Sequence, residues 1–226
     1  MARKDKLEVF GNSIKQLKDS IRAFYLCSMA KINQQRLEEA LGLLGELLAS
    51  RGRPSEHFVV CGGSSLLALG LVRRTTTRDV DILARMQDSH LVQAKPLPNW
   101  LLEDAEEVRG QLNLPEKWFN TGPADDSFFR LGFPEGLVDR VVTREYGPNL
   151  RISFIGRYDQ IFFKLYAAAD QDTGRHYQDL QDLHPTEEEL LEAARWTRTQ
   201  DPSEGFLFVL GELFKHLGHG TLVDRL

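Results

Sequence analysis

Phe58-Val59-Val60-Cys61-Gly62-Gly63-Ser64-Ser65, followed within one short helix by Asp79-Val80-Asp81, is the stretch on which the fold turns. The apolar run ending in two glycines and two serines predicts a buried strand that turns sharply into a helix, expected over residues 66–72. Free backbone N–H groups and small hydroxyls at such a helix start suit a phosphate. The next strand, expected over residues 79–83, puts Asp79 and Asp81 on one face while Val80 and Ile82 face the core. Two like charges on one strand face repel unless a cation lies between them. Mg²⁺ or the nearby Arg73, Arg74 and Arg78 would meet that need. Taken singly, the glycine turn reads as ordinary backbone chemistry and the carboxylates as a solvated strand face. In this order and at this separation, they point to metal-assisted phosphoryl chemistry.

Working outward, the 226 residues are 42% hydrophobic and 27% charged, the balance of a folded globular protein. That length holds one large domain, or a compact domain with helical extensions. No apolar run reaches the ~18 residues that span a bilayer, and the first residues lack the hydrophobic core of a secretory signal. With Cys27 and Cys61 in apolar surroundings and without metal-ligand spacing, a reducing cytoplasm is the default. The net charge of −5 argues against indiscriminate binding to nucleic-acid backbone.

Helical periodicity marks residues 3–31 through Ile14, Leu17, Ile21, Phe24 and Tyr25, an amphipathic helix suited to lie on the domain or to mediate a dimer. A stronger helix carries Leu37, Ala40, Leu41, Leu44 and Leu48 and ends near Gly52 and Pro54. Residues 86–136 read as an insertion or lid, with a helix over 100–112. Residues 137–143 and 150–155 read as two strands of a hairpin, joined by the turn Tyr146-Gly147-Pro148-Asn149. A helix over 158–170 follows, and from Thr186 the chain is helical, with Thr186 as a cap before Glu187, Glu188 and Glu189. Asp201-Pro202-Ser203-Glu204 starts the last helix in the same way. The alternation gives an α/β (α+β) domain over residues 34–183, preceded by the helix of residues 1–33 and followed by a helical segment, 184–226. The histidines form no ligand cluster, and the tryptophans read as core or lid anchors.

A glycine-glycine-serine turn, then Arg/Thr residues, then Asp-hydrophobic-Asp resembles the DNA polymerase β-like nucleotidyltransferase superfamily. The stretch from Asp159 through Lys164 to Ala168, with Asp179 and Asp182 after it, resembles bacterial nucleotidyltransferase-like proteins related to abortive-infection toxins and minimal nucleotidyltransferases. The resemblance covers roughly residues 35–215. It implies a nucleotidyltransferase-fold mixed sheet flanked by helices, with NTP as substrate and two divalent ions, Mg²⁺, as cofactors. It places phosphates on Gly62, Gly63, Ser64 and Ser65, with Ser64 in contact. It places the metals on Asp79 and Asp81 with a third carboxylate, for which Asp139 stands in the right order along the chain. Asp139 also reads as a surface residue paired with Arg140, and Glu135 and Glu145 are fallbacks. Lys164 would reach the triphosphate. Asp179 and Asp182 share a helix face and read as salt-bridge partners, with Arg175 in reach.

The function expected is transfer of a nucleoside monophosphate from an NTP to a hydroxyl on a protein or RNA acceptor, in the cytoplasm and away from membranes. The alternative is an inactive module of the same fold, antitoxin-like or a nucleotide sensor, with a toxin/antitoxin partner or a second copy met through the N-terminal helix.

Overall fold

The computed structural model describes residues 31–124, 126–171 and 174–226. Cys27 and all but the last residue of the helix expected over 3–31 lie outside them. Ile32–Asn33 form a two-residue strand, β1, and Asn33 then caps α1 (Gln34–Ser50), its side chain accepting from the Arg36 N–H at 2.8 Å. Leu37, Leu41, Leu44 and Leu48 lie on one buried face of α1. Each such leucine contributes about 1.5–3 kcal/mol by leaving water.

β2 (Glu56–Cys61) leads into α2 (Gly62–Ala68), which starts at the glycines themselves, earlier than residue 66. It stops short of residue 72 because Gly70, at φ +64°, turns the chain out of the helix. β3 (Thr76–Thr77) pairs antiparallel with β1. β4 (Val80–Gln87) is longer than expected, and β5 (His90–Val92) turns back along it. Next come α3 (Asn99–Leu112), β6 (Phe119–Asn120), α4 (Asp126–Leu131) and α5 (Leu137–Arg140). The hairpin of β7 (Val142–Glu145) and β8 (Leu150–Phe154) leads to α6 (Arg157–Gln171) and α7 (Arg175–Asp182). α8 (Glu187–Gln200) and α9 (Glu204–His216) complete the chain with a short 3-10 turn.

The strands form a mixed sheet of order β5-β4-β2-β8-β7, with β6 added in parallel beside the start of β4. β2 is antiparallel to β4 and parallel to β8. Helices flank both faces, an α+β architecture of the class expected. Phe58, Val60 and Ile82 pack towards α1 and α3. Val59, Cys61 and Leu83 pack towards α6, α8 and α9. Burial on both faces explains why β2 reads as an unbroken apolar run. It also sets the site: Asp81, two residues before Leu83, lies on the α6 face.

Two expectations need correction. Residues 137–143 are not a strand: Leu137–Arg140 is one helical turn after Gly136 (φ +71°), and the hairpin begins at Val142. The turn brings Arg140 onto the buried Asp159, donating from Nε at 3.0 Å and from Nη2 at 2.6 Å. The same Nη2 donates to the Glu135 carbonyl at 2.6 Å. Asp139 therefore stands on α5, exposed to solvent. The second correction is one of bounds: the helix expected over 66–72 is present but runs from Gly62 to Ala68, ended early by the turn at Gly70.

Within residues 86–136, α3 packs on α1 through Leu101, Ala105 and Val108, and Trp118 Nε1 donates to the Ala105 carbonyl at 2.9 Å. Thr186 and Glu189 form a reciprocal capping box on α8, and Ser203 caps α9. No helix among the described residues is long and apolar enough to cross a membrane.

Candidate active site

Asp79 and Asp81 line a cleft of about 560 Å³ between the start of β4 and one face of α6. Its remaining walls are the Gly62–Gly63 turn, Asn120 of β6 with the following Gly122–Pro123, Phe128 of α4 and the start of α7. The glycines are required by close approach. A Cβ on Gly62, which sits at φ +63°, would lie 2.9 Å from Asp81 Oδ2. A Cβ on Gly63 would lie 2.4 Å from Thr77 Oγ1. Side chains there would push the carboxylate strand off the turn.

The serines serve the fold. Ser64 is fully buried and donates to the Cys61 carbonyl at 3.2 Å, while Ser65 donates to the Ile155 carbonyl at 2.8 Å. Among the four turn residues, Gly62 and Gly63 face the cleft, so backbone forms that wall.

Asp81 pairs in register with Asn120, whose Nδ2 donates to Asp81 Oδ1 at 3.4 Å. The Gly122 N–H donates to Asn120 Oδ1 at 2.7 Å and fixes the amide's orientation. Burial raises the Asp81 pKa to about 6, with the neighbouring Asp79 charge adding to it. Burial also raises Asp79, against the pull of Arg175, Arg78 and Arg74. Two carboxylates whose charges are disfavoured in this way form a pair of oxygen donors that suits a hard divalent cation, while the Asn120 amide presents its N–H to Asp81 and its oxygen to Gly122.

Asp139 does not join them. It is exposed on α5 and is not among the residues lining the cleft, nor are the exposed Glu135 and Glu145. Among the described residues, no group of three His, Cys, Asp or Glu side chains is placed to hold a metal. Asp170, at the far end of α6, does reach the cleft wall.

Lys164 enters from α6 on the opposite wall. It is buried, and its Nζ lies 2.8 Å from Asp179 Oδ2; Arg74 Nη2 approaches the same oxygen at 3.2 Å. Burial lowers the Lys164 pKa while Asp179 opposes the shift. His176 Nδ1 sits 3.5 Å from Lys164 Nζ, and burial followed by the lysine charge holds the imidazole pKa down at about 4. Asp182 binds Arg73 Nε at 3.0 Å. The α7 carboxylates are thus salt-bridge partners, as expected, but of Lys164, Arg74 and Arg73 rather than Arg175. Cys61, beneath the turn, is free and buried, and burial pushes its thiol pKa up.

The cleft sets two carboxylates against Lys164 and Arg175, a charge pattern that suits a phosphate-bearing ligand carrying its own cation. Neither Asn120 nor Asp179 is marked as a site residue by the sequence. The signal for Asp179 was its place opposite Lys164 in the motif; Asn120 carries none without the β4–β6 register. Comparison with protein-family models, curated proteins and solved structures finds no match to this chain.

Proposed function

We propose that this chain binds a nucleoside triphosphate with Mg²⁺ and transfers its nucleoside monophosphate to a hydroxyl on a protein or RNA acceptor. The supporting observation is the pairing of Asp79 and Asp81 in one cleft with the buried Lys164 facing them. The acidic net charge favours a protein acceptor over a long nucleic acid.

Asp79 and Asp81 would hold the metal, and Asn120 orients Asp81 for it. Mg²⁺ bound there supplies neutralisation of phosphate charge and polarisation of the phosphoryl oxygens. Gly62 and Gly63 let phosphates approach the backbone closely, and Lys164 offers a point cation. In the transfer, the acceptor oxygen bonds to the α-phosphorus as the bond to pyrophosphate breaks, and the hydroxyl proton passes to solvent.

A second reading, nucleotide binding without turnover, draws on the position of Asp139 outside the cleft. One experiment separates the two. Binding of labelled ATP, GTP, CTP and UTP with Mg²⁺ or Mn²⁺ is measured for wild type and for Asp79→Ala/Asp81→Ala, with pyrophosphate release followed alongside. Metal-dependent binding lost in the double variant, with pyrophosphate release, supports transfer; binding without release supports the sensor. No binding of any nucleotide removes both.

A further inference from the structure

The face of α6 turned to the cleft carries Gln160, Phe163, Lys164 and Ala167, residues spaced to share one helical stripe. Gln160 is the unusual member. It is fully buried, and its Nε2 reaches only the Ile155 carbonyl at 3.5 Å, the outer limit of a hydrogen bond. Its Oε1 has no hydrogen-bond partner among the described residues. An unpaired buried amide oxygen destabilises the fold, and a leucine or methionine would fill the same space without that cost. Such a group at a cleft wall points to a partner that arrives with the ligand.

Its surroundings say which part of the ligand. The cleft has a charged side, at Asp79, Asp81 and Lys164, and an aromatic side, at Phe128, Phe163 and Tyr166. Phe128 and Phe163 meet edge to face at 5.6 Å, forming a fixed apolar wall. An amide oxygen repels phosphate oxygens, so the group it meets must be a donor. A planar heterocycle with an N–H edge satisfies both the rings and the oxygen.

We propose that Gln160 is the base-reading residue of this cleft: its Oε1 accepts from an N–H of the nucleobase, which lies against the Phe128–Phe163 wall. The inference rests on the nucleotide-binding reading and deepens it.

The test uses the full chain, the four NTPs with Mg²⁺, and ribose 5-triphosphate with Mg²⁺ as the probe lacking a base. Gln160→Met, similar in volume and apolar, should weaken NTP binding by about tenfold. It should leave ribose 5-triphosphate binding unchanged and should not lower the urea midpoint, because an unpaired polar atom has been removed. If the methionine variant does not fold, Gln160→Asn retracts the same oxygen by one methylene and should show the same selective loss. An equal loss for both ligands would assign Gln160 to the phosphates or to the scaffold, and the inference falls. It also falls if NTP binding is unchanged in the variant, or if wild type binds NTPs no better than ribose 5-triphosphate. Wild type binding neither ligand removes the nucleotide reading itself, a separate result from wild type binding NTPs with an unaffected variant.

Discussion

Lys164 Nζ lies 2.8 Å from Asp179 Oδ2, and both side chains are buried at the wall of the cleft. Arg74 shares that oxygen at 3.2 Å, so one carboxylate from α7 holds a cation from α6 and another from the segment between α2 and β3. The three elements around the cleft are tied at this point. The pair does not imply large net stability, because two desolvated charges return little of what burial costs them. It does imply that neither partner can be removed alone.

Asp179→Asn should therefore destabilise the protein by about 3 kcal/mol, since Lys164 would remain buried without its anion, whereas Arg74 is only partly buried and can be rehydrated. Urea unfolding of the variant beside wild type measures this. A loss under about 1 kcal/mol would mean that the lysine escapes to solvent and that the pair is not the tie described.

Asp81 and His176 give opposing pH dependences. The Asp81 pKa rises to about 6 from 3.8, so between those values the folded chain binds the extra proton and this group's contribution falls as pH rises. The His176 pKa falls to about 4 from 6.5, so there the unfolded chain binds the extra proton and the contribution grows with pH. Across most of the acid range the two slopes offset. Asp81→Asn should stabilise the metal-free protein by roughly 1–2 kcal/mol above pH 7 and leave the His176 slope exposed, with stability falling from about pH 6.5 towards 4. Urea midpoints at several pH values read both effects. A variant no more stable than wild type at neutral pH would show that Asp81 is not under strain from burial.

Much of this site was legible because it is local. The buried strand, its glycine turn and the alternation that aligns Asp79 with Asp81 depend only on neighbours in sequence, as does the capping box at Thr186. Lys164 was legible as a cation on an otherwise apolar helix. What the sequence does not carry depends on contacts between distant segments. Asn120 reaches Asp81 only because β6 adds to β4 in parallel register. Ser64 and Ser65 looked like phosphate ligands until the carbonyls of Cys61 and Ile155 took their hydroxyls. Residues 137–140 carry a strand-like apolar pattern, yet the pull of Asp159 on Arg140 winds them into a turn.

The two glycine contacts make contrasting substitutions. Gly63→Ala puts a methyl 2.4 Å from Thr77 Oγ1 and 3.1 Å from Arg74 Nη2, so β3 must shift. A loss of about 1–3 kcal/mol is expected, with weakened Mg²⁺-dependent nucleotide binding. Gly42→Ala, on α1, meets nothing within 4 Å and should be neutral or stabilising by up to ~1 kcal/mol. Thermal or urea unfolding of the two variants separates them. Equal effects would mean that the turn at Gly63 tolerates a side chain and that its closeness to β3 is unimportant.

Asp139 and Asp159 provide the sharpest test of how the hairpin is entered. Asp139 is exposed on α5 and lies outside the cleft, so Asp139→Asn should change stability by no more than about 0.5 kcal/mol and leave Mg²⁺-dependent nucleotide binding intact. Asp159, fully buried and bound twice by Arg140, is the residue that fixes the turn. Its replacement by Asn should cost about 2–3 kcal/mol, less than for a wholly buried pair because Arg140 reaches solvent and can be rehydrated. The two variants are compared by urea unfolding and by nucleotide titration. If Asp139→Asn abolishes binding or turnover while the fold is intact, Asp139 reaches the metal site after all, and residues 137–143 must adopt a different path when nucleotide is bound. If it does neither, the metal site proposed at Asp79 and Asp81 does not need Asp139.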